Sequence, residues 1–353
     1  MSASSATAGA TPGGAGTSSG AGEGRPGALA ETWQPWARRA GLALVAAVPA
    51  LFLAVFFVWP VATLVAKGFA SPGGWDWSGF GETLGKARTW RLIGRTVGQA
   101  AFATVVCAVA AVPIASLVYR RSFRGRGLLR ALLTMPFALP SVVVGLAFRA
   151  LLGDGGPLGF LGVGDGFAAV AMALVFFNVG LMTRVVGTFW AALDPRPEQA
   201  ARVLGAGPWR ALATVTLPAL GPALAAGGSL VFLFCATAFA PVLILGGSAY
   251  NTVETEIYLR TAQLLDLRGA AVLSVVQLAV VALALWFGAA ARRRRERALK
   301  LSGAGGRRTF APPPAWRSDW PSAAVTAVAA ALIGLPLANL VYRSLRTSRG
   351  LGL

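Results

Sequence analysis

The chain has 353 residues, of which 56% are hydrophobic and 13% are charged. The charged share is about half that of an ordinary soluble domain, which excludes a typical soluble globular protein. Histidine is absent, which excludes histidine-based zinc sites, catalytic triads and proton relays. The two cysteines, Cys107 and Cys235, lie far apart in apolar segments, so neither a disulfide framework nor a CxxC site is supported.

The first 40 residues form a segment of their own. Ser, Ala, Thr, Gly and Pro dominate its first thirty positions, and no apolar run interrupts them. This composition predicts a disordered N-terminal segment over residues 1–40. It is not typical of a signal peptide, because the first apolar stretch begins only after residue 40 and is too long for such a leader.

Long apolar stretches follow along the rest of the chain. A stretch of roughly 20 apolar residues crosses a bilayer as a helix, and a helix satisfies its own backbone hydrogen bonds there. The sequence therefore predicts an all-α fold, a polytopic transmembrane helical bundle with a six-span unit over residues 41–291 and a seventh span within 321–353. The predicted spans are 42–66, 96–119, 128–151, 167–190, 222–245, 269–291 and 321–342.

The net charge of +19 is concentrated at the ends of these stretches. Loops on the side of the N-terminus carry about twice as many Lys and Arg residues as the opposite loops. The positive-inside rule thus predicts a cytoplasmic N-terminus and a cytoplasmic loop near residues 194–218. The basic and Pro-rich linker 292–320 falls on the same side, where it is typical of an anchor beside a lipid bilayer. We expect no nucleic-acid partner.

The segment that follows this linker echoes the first span. "WPVATLVAKGFASPGG" from Trp59 and "LPLANLVYRSLRTSRG" from Leu335 both place a Pro late in an apolar stretch, then a short run ending in a basic residue. This echo indicates that residues 321–353 begin a second copy of the six-span unit.

The loop near 194–218 has its own signals. Asp194 and Pro195 are typical of a helix entry, and Gly205 predicts a left-handed turn that ends this helix. Pro208 then predicts a second short helix, which runs to Leu217 and Pro218. Two short helices at an angle would lie on the cytoplasmic face. Geometry alone also allows a simple interfacial helix pair that covers the bundle.

The spacing within this loop resembles the EAA loop of binding-protein-dependent ABC transporter permeases. That pattern is Glu-Ala-Ala, three residues, Gly, nine residues, Ile, one residue, then Leu-Pro. Gln199 stands where the first Glu is usual and Val215 where Ile is usual, while Glu198 keeps an acid beside the motif. The residues that match or flank the pattern are Glu198, Gln199, Ala200, Ala201, Gly205, Val215, Leu217 and Pro218.

The resemblance implies a coupling helix that docks on a separate cytoplasmic ABC ATPase, which forms a dimer and binds ATP and Mg. It also implies an extracytoplasmic solute-binding protein and a location in the bacterial inner membrane. This chain holds no P-loop, because its single Gly-Lys, Gly85-Lys86, is followed by Ala87. We therefore expect no enzyme activity, no cofactor and no metal in the chain itself.

Several stretches resemble the large duplicated permeases for thiamine and for iron(III), among them "LLTMPFALPSVVVGLAF" and "LGGSAYNTVETEIY". Those permeases hold two six-span halves, so either a missing second half or a second permease chain would complete this one. The resemblance thus implies import of a thiamine-like or iron(III) solute. Permeases for sulfate, molybdate, phosphonate or polyamine are alternatives, and a channel or membrane scaffold that needs no ATPase is the rival from another class.

Two further groups of residues are candidate sites. Polar or aromatic residues within spans are functional candidates because lipid burial is costly for them. The bland alternative is helix packing through Asn and Thr hydrogen bonds. Acids near the predicted outer face could receive the binding protein or be ordinary loop acids. The pathway candidates are Phe177, Asn178, Thr237 and Phe239, and the docking candidates are Glu254, Glu256 and Asp266.

Overall fold

The computed structural model describes residues 34–71, 74–248, 250–301 and 316–350. Helices dominate these residues, and one two-residue antiparallel pair, β1 (Ala70–Ser71) with β2 (Gly74–Trp75), accompanies them. The helices are α1 (Gln34–Leu53), α2 (Trp59–Phe69), α3 (Ser78–Leu84), α4 (Ala87–Arg120), α5 (Arg126–Thr134), α6 (Ser141–Leu152), α7 (Phe167–Trp190), α8 (Arg196–Val203), α9 (Pro208–Ala211), α10 (Leu217–Ala236), α11 (Ala240–Leu245), α12 (Val253–Ala262), α13 (Leu267–Leu301) and α14 (Trp316–Gly350).

Six helical segments of the described chain are long and apolar enough to cross a membrane, and a bent pair raises the number to seven. The predicted fold class, a multi-pass transmembrane helical bundle, is confirmed. The six segments are Leu44–Thr63, Ala87–Arg120, Phe167–Trp190, Pro208–Ala236, Leu267–Arg293 and Asp319–Tyr342.

The chain divides into two units, residues 1–63 and 64–353. In the described part of the first unit, α1 leads through a π-helical turn, Ala54–Val58, into the start of α2. Helix α1 begins at Gln34, so the last residues of the segment that we predicted to be disordered are helical. Ala and Arg residues favour helix there, so the helix begins before the apolar stretch does. The remainder of that prediction lies outside the described residues.

The third predicted span, 128–151, is broken rather than continuous. Segments Arg126–Ala138 and Ser141–Leu152 meet at an angle of 105°. Leu139 is extended, with ψ 142°, because a residue before proline is pushed out of the helical region, and Pro140 lacks the N–H that would continue the helix. The mean apolar character of the stretch concealed this break.

The fifth predicted span, 222–245, is also displaced. One helical segment runs from Pro208 to Ala236 through a π-helical stretch, Leu212–Thr216, and breaks before α11. The second surface helix that we predicted over 208–218 is therefore the beginning of this span. Proline is tolerated in the first turn of a helix, so Pro208 can begin this segment, and the π-helical stretch ends just before Pro218.

The predicted linker 292–320 is helical at both ends. Helix α13 continues past the apolar stretch to Leu301, and α14 already begins at Trp316. Arg, Ala, Glu and Lys are good helix formers, which explains why α13 extends into its basic tail. The residues between 301 and 316 lie outside the described part.

In the second unit, α4 is the central element and packs along α7, α10 and α14. The middle of its buried face carries small side chains, among them Ala100, Ala103, Cys107 and Ala111, each fully buried. Small residues allow helices to approach closely in a membrane. Helix α4 is thus held on several sides, and its two ends reach the two groups of site residues described next.

Candidate functional site

The loop between α7 and α10 holds the EAA-like motif and lies where α4 ends at Arg120. We call this end of the bundle the Glu198 end. The opposite end, where α4 begins and α12 lies, is called the Glu256 end. Arg120 contacts Glu198 and Arg88 contacts Glu256, so the 34 residues of α4 connect the two ends.

Helix α8 ends at the predicted glycine and begins near the predicted entry, with Pro195 rather than Asp194 at its N-cap. The Asp194 carboxylate accepts a hydrogen bond of 3.0 Å from the backbone N–H of Arg196 at the start of the helix. At its end, Gly205 has φ +88° and donates its backbone N–H to the carbonyl of Arg202. The left-handed turn predicted at Gly205 is confirmed, and only glycine adopts this conformation without strain.

The turn presents an apolar tip. Val203 and Leu204 are 87% and 88% exposed, and Trp209 after the turn is 68% exposed. Gln199 and Ala200 of the motif are exposed as well, whereas Ala201 is half-buried. Exposed apolar side chains rimmed by polar residues are typical of a protein interaction site.

Glu198 points in the opposite direction, toward the bundle. Its Oε2 accepts a hydrogen bond of 2.5 Å from Arg120 Nη1 and one of 3.3 Å from Thr216 Oγ1. Its Oε1 accepts a hydrogen bond of 3.1 Å from Arg202 within the same helix. Glu198 therefore holds the loop against the helical bundle, while the Val203–Leu204 tip is exposed.

The remaining motif residues lie on the span rather than in the exposed loop. Val215 belongs to the π-helical stretch, and Leu217 and Pro218 begin α10. Leu217 is 40% exposed, and Pro218 is exposed. The end of the motif thus marks the entry of the chain into the bundle.

At the Glu256 end, two of the three docking candidates are in ion pairs. The Glu256 side chain is 3% exposed and accepts from Arg88 at 3.1 Å and from Arg260 at 3.2 Å. Asp266 pairs with Arg260 at 3.0 Å. Glu256 therefore holds α12 against α4, and a docking role of these acids stays a prediction.

Burial raises the pKa of two titratable groups at this end. Glu254 is half-buried, and desolvation raises its pKa above the ordinary value of 4.5. Desolvation also raises the pKa of Tyr250 to about 12, against the opposing charge of Arg95. The Tyr250 hydroxyl donates a 3.1 Å hydrogen bond to Gln99 on α4, so this tyrosine serves as a neutral donor.

The contacts of the four pathway candidates lead to different partners and do not bring the four side chains together. Asn178 is buried and donates its amide to the Leu174 carbonyl and to Cys235 Sγ, which joins α7 to α10. Thr237 donates a hydrogen bond to the Leu233 carbonyl of its own helix.

The two aromatic candidates contact other rings. The Phe177 ring contacts Phe176, and the Phe239 ring contacts Tyr258. A pathway role of these four residues stays a prediction.

Sequence reasoning missed several residues of the loop site. Arg120 and Thr216 are 78 and 18 positions from Glu198, and nothing in their local sequence indicates that they share its carboxylate. The pair Val203–Leu204 did carry a signal, since two large apolar residues directly before a turn glycine are unusual in a polar loop. In the described residues, no group of three His, Cys, Asp or Glu side chains could hold a metal ion.

Comparison with known proteins gives relatives that are all named as transport system permease proteins. The sulfate transport system permease protein CysT of Escherichia coli (strain K12) is 29% identical over 214 residues, which cover 59% of this chain and 76% of that protein. The molybdenum transport system permease protein ModB of Azotobacter vinelandii is 31% identical over 167 residues, covering 45% and 74%. The thiamine transport system permease protein ThiP of Brucella abortus (strain 2308) is 30% identical over 227 residues, covering 61% of this chain but only 41% of that protein.

The fold has a counterpart among solved structures. A chain of a bacterial ABC transporter involved in the import of the acidic polysaccharide alginate has a TM-score of 0.60 and 16% sequence identity, and covers 76% of this chain and 99% of that chain. The family model for the binding-protein-dependent transport system inner membrane component matches residues 109–297, from within α4 to within α13. The chain thus belongs to the family of binding-protein-dependent transport system inner membrane components.

Proposed function

We propose that this chain is the membrane-spanning permease subunit of an ATP-driven importer, with hydrolysis of ATP carried out by a separate ATPase at the Glu198 end. The observation that carries the proposal is the apolar Val203–Leu204 tip on a loop that Glu198 fastens to the bundle. A docking surface must be free on one side and held on the other if it is to transmit movement. The relatives named as transport permeases support the same function.

The Glu198 end is proposed to face the cytoplasm, and the Glu256 end to face a solute-binding protein. The excess of Lys and Arg in the loops on the N-terminal side supports this orientation. A second permease unit completes the pathway in this proposal, as the resemblance to permeases that hold two six-span halves implies. Transport then proceeds by alternating access between the two faces.

The transported solute is proposed to be small. The relatives are named for sulfate, molybdenum and thiamine, and the stretch from Leu245 to Tyr258 resembles the thiamine and iron(III) permeases. A thiamine-like or iron(III) solute is the proposal that this stretch favours, and the anions are the alternatives within the same transport class. Labelled sulfate, molybdate, thiamine and iron(III), offered separately to cells that express the complete assembly, distinguish these candidates.

Copurification tests the docking surface. The tagged chain is purified in detergent as wild type and as Leu204→Asp, and its soluble partners are identified by mass spectrometry. A P-loop ATPase is expected with the wild type and at least tenfold less of it with the variant, because a carboxylate at the centre of an apolar contact must be desolvated. The control is Leu264→Asp at the Glu256 end, where Leu264 is 68% exposed.

The control variant is expected to recover the ATPase as the wild type does. If Leu204→Asp also recovers it at the wild-type level, the tip is not the docking surface. If the wild type recovers no ATPase at all, the rival function, a channel or scaffold without an ATPase, takes the place of this proposal.

A further inference from the structure

Arg120 contacts the loop although it belongs to none of the loop's elements. It is the last residue of α4, and it donates from Nη1 to Glu198 Oε2 at 2.5 Å. Its guanidinium carbon also lies 5.4 Å from the ring centre of Trp190, the last residue of α7. The side chains of Arg120 and Glu198 are 26% and 16% exposed, so water screens this ion pair only in part.

The exit of the loop reaches the same carboxylate. Thr216 is the last residue of the π-helical stretch Leu212–Thr216, and its hydroxyl donates to Glu198 Oε2 at 3.3 Å. The entry of the loop at Trp190, its helix at Glu198 and its exit at Thr216 therefore converge beside Arg120. A π-helical stretch is a weak point of a helix and is frequent at functional sites.

Helix α4 carries this connection to the other end of the bundle. At 34 residues it is about 50 Å long at 1.5 Å per residue. Near its first turn, Arg88 pairs with Glu256 at 3.1 Å. Two turns further, Thr96 Oγ1 accepts a hydrogen bond of 2.9 Å from the backbone N–H of Val253, the first residue of α12. One unbroken helix thus contacts both the loop and α12.

We propose that Arg120 is a positioning residue that fastens the coupling loop to α4, so that movement of the loop by the ATPase moves α4 and, with it, α12 at the opposite face. This inference rests on the proposed function. Arg202 binds the same carboxylate at 3.1 Å, but it lies within α8 and its side chain is 54% exposed, so it cannot connect the loop to α4.

The experiment measures the movement without requiring the transported solute. Spin labels are placed at Gln263→Cys, directly after α12, and at Asp154→Cys, two exposed positions at the Glu256 end, in the full chain purified with its ATPase. Cys107 and Cys235 are buried and do not compete for the label. Addition of ATP and Mg is expected to shift the distance between the labels by ~2 Å or more in the wild type, the size of a typical helix shift.

The shift is expected to disappear in Arg120→Gln and to persist in Arg124→Gln, which removes an exposed arginine of the same end. Exchange of the charges, Arg120→Glu with Glu198→Arg, is expected to restore at least half of the shift, an effect that a general loss of stability would not show. Circular dichroism checks that each variant is helical.

Two results overturn the inference while the proposed function stands: a wild-type shift in Arg120→Gln complexes, or no shift in the wild-type complex. Absence of any ATPase from the purified wild type overturns the proposed function and the inference together. Since the labels are read only in complexes that contain the ATPase, the two failures are distinguishable.

Discussion

At the residue scale, Gly180 shows how closely the broken span packs on α7. A Cβ at this position would overlap the carbonyl oxygen of Leu133, which is backbone and cannot move aside as a side chain can. We expect Gly180→Ala to lower the melting temperature of the detergent-solubilised protein, with a cost of about 1–3 kcal/mol or more from overpacking.

The matched control is Gly98→Ala on α4, where a Cβ meets nothing within 4 Å. Alanine is favoured over glycine in a helix by about 1 kcal/mol, so this control is expected to leave the melting temperature unchanged or raise it. Equal melting temperatures for the two variants would contradict the close contact of α7 with α5.

Glu254 gives a pH dependence with a defined sign. Burial raises the pKa of this carboxyl above 4.5, so the folded protein binds its proton more tightly than the unfolded chain does. The free energy of unfolding therefore falls as the pH rises from 4.5 through the raised pKa. We expect Glu254→Gln to be at least as stable as wild type at neutral pH and to lose this part of the pH dependence.

Thermal melts of wild type and Glu254→Gln across the carboxyl range measure this effect, with the exposed carboxylate variant Asp154→Asn as the control. The control is expected to keep the wild-type slope. If Glu254→Gln keeps that slope as well, burial of Glu254 does not affect stability.

Local backbone conformation was predictable from the sequence, whereas contacts between residues distant in sequence were not. Gly205 was predicted to adopt a left-handed turn because its position after a short helix decides its backbone conformation. The pairing of Glu198 with Arg120 depends on how α4 packs against the loop, and no local pattern encodes a contact across 78 positions. The burial of Glu256 follows from the same kind of tertiary packing.

At the element scale, the turn of the loop can be tested with two neighbouring glycines. Gly205 has φ +88° and Gly207 has φ −61°, and a Cβ at either position meets open space. We expect Gly205→Ala to distort the turn, at a cost of about 1–2 kcal/mol for a left-handed residue with a side chain, and to reduce ATPase recovery. Gly207→Ala is expected to recover the ATPase as wild type does.

The measurement is the ratio of ATPase to permease in purified complexes, with the melting temperature taken alongside. Equal ratios for the two variants would mean that the left-handed turn at Gly205 has no part in presenting the tip.

The existence of the spans was predictable, whereas their breaks were not. Apolar composition identified each membrane segment, because length and hydropathy are properties of the local sequence. The break at Leu139 and Pro140 and the early start of the fifth span at Pro208 depend on proline geometry within apolar stretches. Averaged hydropathy does not distinguish a helix from two half-helices, although "MPFALP" contains the prolines that separate them.

At the scale of the whole molecule, the orientation in the membrane is a prediction that cysteine labelling can test. Leu204→Cys and Leu264→Cys place thiols at the two ends, at positions 88% and 68% exposed, while the native cysteines are buried. A membrane-impermeant maleimide is expected to label Leu264→Cys in intact cells and Leu204→Cys only after lysis. The reverse pattern would contradict a cytoplasmic Glu198 end.

The family of the protein could be predicted from its sequence, but the contacts that join the loop to α4 and α12 could not. The EAA-like spacing indicated the family, which the family match over residues 109–297 shows. The path from the Val203–Leu204 tip through Glu198 and Arg120 to α12 emerges only when the helices are packed, since each contact joins elements that are distant in sequence.

ATP-dependent accumulation of a solute distinguishes an importer permease from a channel. Membrane vesicles that carry the complete assembly are loaded with ATP and supplied with binding protein and labelled sulfate, molybdate, thiamine or iron(III). We expect one of these solutes to accumulate above its outside concentration, and we expect omission of ATP or the Leu204→Asp substitution to abolish the accumulation. Entry that stops at equal concentrations and continues without ATP would contradict this expectation, because such entry is the behaviour of a channel.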